Sequence, residues 1–334
     1  MLDQRKATGT LTAPGGGVGI IRIIAGGSGR ATLGRVSATP RVPTPDDPDF
    51  DAIGDLLEVL DLRAKGPDAF VGRSQPQPHG RVFGGQVLSQ AMVAAGRTLP
   101  DDAPRHIHSM HGYFLRPGDA TAPIQFQVER LRDGRSFSAR RVHALQNDRP
   151  ILGMSASFQT ADEGLDHQDE MPDVPPPEDL PAVGELLADV SDGPAKKWVE
   201  RRAIDIRHVE GPIYLSPARE PVARQNVWIR AAGSLPDDPL VHAAVLAYAS
   251  DYTLLEPVLR RHGITWIDPR LRPASLDHSM WFHRPIRADD WLLYSQSSPS
   301  ATSGRGLGIG RMFSRDGVLL ASVAQEGMLR LKER

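Results

Sequence analysis

The feature that most constrains this chain is that part of it is written twice. His108 to Pro117 reads His-Ser-Met-His-Gly-Tyr-Phe-Leu-Arg-Pro, and Ala274 to Pro285 reads Ala-Ser-Leu-Asp-His-Ser-Met-Trp-Phe-His-Arg-Pro. Both copies close on an aromatic pair, one intervening residue and Arg-Pro, and Pro117 and Pro285 stand 168 residues apart. The turn signals at Asp148 and Asp316 stand at the same spacing of 168. Two landmarks at one offset describe a duplicated unit, so the fold must be one that each copy adopts and that the two bury together. With 334 residues and 40% hydrophobic content, the chain can fill two such cores.

Each half shows the same order of patterns. In the first, Ile53, Leu56, Leu57 and Leu60 form the stripe of an amphipathic helix that starts near Asp51. Gly84-Gly85 then opens a second helix, Gln86 to Arg97, apolar or small on nearly every side and therefore buried. Beyond Pro100 the period becomes two: Ile124, Phe126 and Val128 alternate with polar residues, and Leu152, Met154, Ala156 and Phe158 share one face. Asp133-Gly134 and Asn147-Asp148 supply the turns. The second half opens on a strand at Val227, Ile229 and Ala231 and continues with a buried helix, Pro239 to Ser250. An amphipathic stretch runs through Leu259, and strands follow at Trp291–Tyr294, Leu307–Phe313 and Val318–Leu329. A buried helix followed by antiparallel strands is an α+β unit, here present in two copies.

Between the halves, residues 161–197 lose periodicity and become acidic and proline-rich, as an exposed linker does, with a short helix expected at Val183–Val190. Residues 1–50 are glycine-rich and unlike the rest; they read as a flexible extension or as a start assigned too far upstream. Their apolar run, Ile20 to Ala25, is far shorter than the roughly 20 residues that span a bilayer. The division is therefore 1–50, 51–160, 161–197 and 198–334.

A net charge of −2 gives no electrostatic case for nucleic acid or an anionic membrane. The absence of cysteine removes disulfides, thiolate metal sites and a cysteine nucleophile, and it fits a reducing compartment. No Gly-x-Ser-x-Gly elbow, His-Glu-x-x-His helix or phosphate loop is present. His106, His108 and His111 invite a metal reading, but strand alternation puts His106 and His108 on one face and His111 on the other, so no metal site is expected.

At the 168-residue offset the copies differ in chemistry: Gln325 falls opposite Ser157, and Ser275 opposite Ile107. Gln325 shares its strand face with Leu319, Ala321 and Val323, and a buried amide needs a partner, because leaving it unpaired costs about 1–3 kcal/mol. A satisfied core glutamine and a ligand-binding amide are both consistent with that position. Asp251 follows an almost wholly apolar helix, where burial can raise a carboxyl pKa and suit it to accept a proton from water; a cap or an ion pair would place it there equally well.

The segments Arg81–Val87, Tyr113–Asp119, Leu131–Gly134, Ser136–Arg141, Ala156–Gln159, Tyr248–Asp251, Asp277–Pro285 and Gln325–Gly327 resemble, in order, the acyl-CoA thioesterase II family. The resemblance runs from about Asp51 to Arg330 and leaves residues 1–50 outside. It implies a tandem (double) hotdog fold, each unit a long central helix wrapped by an antiparallel sheet. It also implies hydrolysis of fatty acyl-CoA to free acid and coenzyme A, without cofactor or metal. The family's water-activating aspartate, threonine or serine, and glutamine fall on Asp251, Ser275 and Gln325, with serine where many relatives carry threonine. The oxyanion donors are expected among backbone N–H groups at a helix start, such as Gly84-Gly85 or an equivalent. His278 lies three residues after Ser275, a spacing that points the two side chains to opposite faces of one strand, so an activated water is preferred to an activated serine. The rival readings are a non-catalytic acyl-CoA-binding protein and a hotdog hydratase or dehydratase; the latter needs a histidine–carboxylate pair that Gln86 and Asp251 do not supply. A cytoplasmic homo-oligomer without membrane insertion is expected, and Leu331-Lys332-Glu333-Arg334 carries no Ser-Lys-Leu-type address.

Overall fold

The computed structural model describes residues 50–77, 79–186 and 202–332. The extension at 1–49, the end of the expected helix at 187–190 and the rest of the linker to 197 lie outside the described residues. Helix α1 (Ala52–Leu60) starts at Asp51, whose carboxylate accepts from the N–H groups of Ile53 and Gly54, and it buries the apolar stripe. Helices α2 (Gly84–Gly96) and α4 (Pro239–Ser250) follow the expected bounds closely. The short helices α3 (Val183–Leu186) and α5 (Glu256–Arg261) complete the α-helices among the described residues, beside one 3₁₀ turn at Pro177–Asp179.

The strands are β1 (Arg63–Gly66), β2 (Ala69–Gly72), β3 (His106–Phe114), β4 (Ile124–Asp133), β5 (Phe137–Gln146) and β6 (Arg149–Gln159) in the first half. The second half adds β7 (Ile204–His208), β8 (Arg224–Ala231), β9 (Leu271–Ser275), β10 (Asp277–Phe282), β11 (Leu292–Thr302), β12 (Arg305–Ser314) and β13 (Leu319–Leu331). All join one antiparallel sheet of 13 strands, ordered β1-β2-β4-β5-β6-β3-β10-β13-β12-β11-β8-β7, with β9 beside β13. The repeat offset is built into this order: β5 and β12 differ by 168 residues at both ends. At the junction of the halves, β3 pairs with β10 so that His111 faces its own counterpart Ser279, the His111 Nδ1 and Ser279 Oγ lying 3.2 Å apart.

Helices α2 and α4 run antiparallel against each other. A Cβ on Gly96 would lie 2.5 Å from Leu240, at the start of α4, and one on Gly85 would collide with the Tyr248 carbonyl near its end. Covered by each other and by the sheet, both helices are buried around most of their circumference, and they share one apolar core with the inward-facing strand residues. Among the described residues no helix is long and apolar enough to cross a membrane.

Three expectations change. The strand expected at Trp291–Tyr294 continues to Thr302, through a Ser- and Gln-rich stretch whose polarity hides the alternation and whose Pro299 is taken up in a bulge between Ser297 and Ser300. Segment 171–180 is not a free linker: Met171, Val174 and Leu180 cover Trp228, Trp291, Leu293 and Phe313 on the outer face of the sheet. Its extended proline backbone leaves carbonyls to accept, and Pro175 takes the Trp228 indole N–H at 2.9 Å. Finally, a bulge between Ile107 and Ser109 resets the alternation of β3, so His106 and His111 are both exposed while Met110 is buried.

Candidate active site

The three residues picked out in the second half come together from three elements. Asp251 is the C-cap of α4, Ser275 ends β9, and Gln325 sits in β13. Gln325 Nε2 donates to Asp251 Oδ1 at 2.6 Å and lies 3.0 Å from Ser275 Oγ. The other carboxylate oxygen, Oδ2, accepts the backbone N–H of Gly85 at 2.8 Å. Gly85 lies in the first turn of α2, so the positive end of that helix faces the carboxylate.

Local structure explains each placement. The chain leaving Asp251 is seated on strands stripped of side chains: a Cβ on Gly308 would collide with the Leu254 carbonyl, and one on Gly327 with Leu255. Ser275 pairs with Gly327 across β9 and β13, and the Glu326 N–H donates to Asp277 Oδ1 at 2.6 Å where β9 gives way to β10. Gly84 leaves room for the acid itself, since a Cβ there would lie 2.6 Å from Asp251 Oδ2. Phe83, Phe114 and Tyr252 line the same corner; Phe83 and Tyr252 have ring centroids 4.8 Å apart.

Burial pushes the Asp251 pKa up to about 6, opposed by hydrogen bonds from Gln325, Gly85 and Ser275. Such a carboxyl is ionised near neutral pH yet basic enough to take a proton. Gln325 is 1% exposed, and its Oε1 has no hydrogen-bond partner. Because the ionised carboxylate only accepts, it fixes Nε2 toward itself and leaves Oε1 as a buried acceptor looking for a donor.

Two sequence expectations are corrected here. The register pairs Gln325 with Gly308 and Ala156 with Arg140, and Arg140 and Gly308 are 168 apart; the counterpart of Gln325 is therefore Ala156, one residue from the expected Ser157. Fixed spacing slips by one between the halves, and the first half carries alanine where the second carries the amide. The N–H of Gly85, expected to face an oxyanion, is committed to Asp251. Sequence reasoning missed that anchor, although the Gly84-Gly85 pair before a buried helix was its visible trace. Elsewhere, His278 lies on β10, away from Ser275 on β9, with its Nε2 2.8 Å from Ser250 Oγ. His108 bonds Ser157, and among the described residues no group of three His, Asp or Glu side chains is placed to hold a metal. Gln86 is bound to Gln75 and Gln90 within the core.

Residues 218–328 match the family described as acyl-CoA thioesterase, and residues 73–159 match the acyl-CoA thioesterase N-terminal domain. The chain is 41% identical to acyl-coenzyme A thioesterase 8 of Homo sapiens over 83% of its own length and 89% of that protein. It is similar in structure to acyl-CoA thioesterase II TesB2 of Mycobacterium marinum, with a TM-score of 0.67 and 42% identity over 83% of this chain and 98% of that one. A hot dog fold protein from Alicyclobacillus acidocaldarius superposes with a TM-score of 0.69 at 21% identity, covering 83% of this chain and 98% of that one, a likeness of fold.

Proposed function

Because the chain belongs to the acyl-CoA thioesterase family and is an acyl-CoA hydrolase, we propose that it splits fatty acyl-CoA with a water activated by Asp251 and oriented by Ser275 and Gln325. The single observation that carries the assignment is the shared amide: Gln325 Nε2 reaches both Asp251 and Ser275 while its Oε1 remains open as an acceptor. A water that donates one hydrogen to Asp251 and the other to Gln325 Oε1 has a lone pair directed at the thioester carbonyl.

Attack forms the C–O bond as Asp251 takes the water proton, a contribution of ~10²–10⁴-fold. The tetrahedral oxyanion then collapses, the C–S bond breaks, and the CoA thiolate leaves with the bonding pair. A thiolate needs no strong acid to depart, and once Asp251 passes its proton to the departing thiolate or to solvent, one carboxylate serves the whole cycle.

The same premise supports reading residues 51–160 and 198–334 as two hotdog units joined by 161–197, with α2 and α4 as their central helices. Support comes from the strand order, in which β1, β2, β4, β5, β6 and β3 are answered in reverse by β10, β13, β12, β11, β8 and β7. A cytoplasmic homo-oligomer is the matching biological setting, with edge strands β1 and β7 offering backbone groups for pairing.

The test is thiol release from palmitoyl-CoA, followed by intact-protein mass measurement during turnover. Thiol release with no acyl adduct on the protein is expected. An acylated Ser275 would overturn the water mechanism, and absent thiol release would overturn the substrate assignment.

A further inference from the structure

The reaction as written makes no use of His278, a buried imidazole placed beside the residue that precedes Asp251. It projects inward from β10 with 0% exposure, on the face of Met280 and Phe282. Its Nε2 lies 2.8 Å from Ser250 Oγ, and that hydroxyl also lies 2.8 Å from the Ala247 carbonyl oxygen. Nδ1 has no partner. Across the strand pair stands Gly112, which offers no side chain.

The protons can be placed by counting. Burial pushes the His278 pKa down to about 3, so the ring is neutral and carries one N–H. Ser250 has one hydroxyl hydrogen and three neighbours, of which Met280 Sδ, at 3.5 Å, is a weak acceptor that competes poorly with the Ala247 carbonyl. Given to His278, it would force the ring N–H onto Nδ1, a buried donor without an acceptor. Given to the Ala247 carbonyl, it lets Nε2–H donate to Ser250 Oγ and leaves only a lone pair unfilled, and buried orphan donors are the rarer defect. The chain therefore runs from His278 Nε2–H to Ser250 Oγ, and from the Ser250 O–H to Ala247. That carbonyl is among the last four of α4, which lack helical partners by construction. Tyr294 donates its hydroxyl to the Ser250 carbonyl at 3.3 Å. Ser250 is thus held at both its side chain and its backbone, and Asp251 hangs from it.

We propose that His278 is a positioning residue: through Ser250 it fixes the last turn of α4, so that the Asp251 carboxylate meets Gly85 and Gln325 at once. The proposal rests on the reading of Asp251 as the base.

The experiment compares His278→Leu, His278→Gln and Ser250→Ala with Asp251→Asn in the full chain, measuring kcat and KM for palmitoyl-CoA and the thermal melt of each. His278→Leu is expected to lower kcat by roughly 10–100-fold with little change in KM, the effect of a slightly misplaced group. His278→Gln, whose amide N–H reaches the place of Nε2, is expected to restore most of kcat. Ser250→Ala should reproduce the kcat loss. Wild-type kcat in His278→Leu overturns the proposal, as does a loss that glutamine fails to restore or that only follows the folded fraction. Should His278→Leu fail to fold, wild-type kcat in Ser250→Ala overturns it instead. Full activity in Asp251→Asn removes the base and this proposal together; an inactive Asp251→Asn beside a fully active His278→Leu removes the positioning role alone.

Discussion

The backbone N–H of Gly85 and the carboxylate of Asp251 are hydrogen-bonded at 2.8 Å across 166 positions of chain, tying the first turn of α2 to the C-cap of α4. The candidate site thus depends on both halves, although its three side chains all come from the second.

This contact separates two neighbouring glycines. In Gly84→Ala the new methyl meets Asp251 Oδ2 at 2.6 Å, so the carboxylate must shift; activity should fall at least 10-fold with a small change in stability. In Gly85→Ala the methyl meets the Tyr248 carbonyl, part of the α4 backbone, and the two helices must separate, at about 1–3 kcal/mol. Urea melts and kcat/KM for both variants check the contrast. Equal stability losses would contradict it.

The acid limb of kcat/KM should follow Asp251, with half-maximal activity at a pH of about 6 and a rise as the carboxyl ionises. The sign for stability is opposite. A carboxyl raised in the fold contributes stability that is complete below the unfolded pKa and is lost as pH climbs through the folded value, so ionisation near 6 works against the fold. Gln325→Ala removes a hydrogen bond that lowers this pKa, and the limb should move to higher pH. A pH–rate series on both proteins decides it; a limb moving the other way contradicts the assignment.

Much of the architecture is legible in the residue pattern alone. The buried α2 and α4 follow from composition around the helix, and β4 and β6 from alternation. The candidate site is legible in part: Ser275 stands out against the apolar Ile107 at the repeat offset, whereas Gln325 falls opposite the polar Ser157 and does not stand out in this way. What the sequence hides is tertiary. Nothing local says that Gly85 will spend its N–H on a side chain of the other half. Nor does spacing reveal the one-residue slip that makes Ala156, and not Ser157, the counterpart of Gln325, since the slip shows only in strand register. The proline-rich segment 171–180 looks solvated because its apolar residues are sparse, and their partners, Trp228 and Trp291, lie far along the chain.

That strap yields a prediction without catalytic consequence. Trp228→Phe removes the indole donor to the Pro175 carbonyl and should cost about 1 kcal/mol. Trp228 lies on the outer face of the sheet, so kcat should not change. Denaturant midpoints beside turnover rates test both halves of the statement.

At Ser275 the hydroxyl, not the residue size, carries the role. Ser275→Thr keeps the Oγ that Gln325 reaches at 3.0 Å, and β-branching suits a strand, so kcat should stay near wild type. Ser275→Ala loses the hydroxyl's hydrogen bonds to Gln325 and to Asp251 and should lower kcat roughly 10-fold. Steady-state rates for the pair are sufficient; a larger loss in threonine than in alanine would contradict the role.

The most direct test concerns the base. Thiol release from palmitoyl-CoA is measured at pH 8 for wild type and Asp251→Asn, with circular dichroism confirming that both are folded. Asparagine keeps the shape and cannot accept the water proton. The expected result is a fall in kcat of ~10²–10⁴-fold in a folded protein. A variant that turns over at the wild-type rate would show that the proton goes elsewhere.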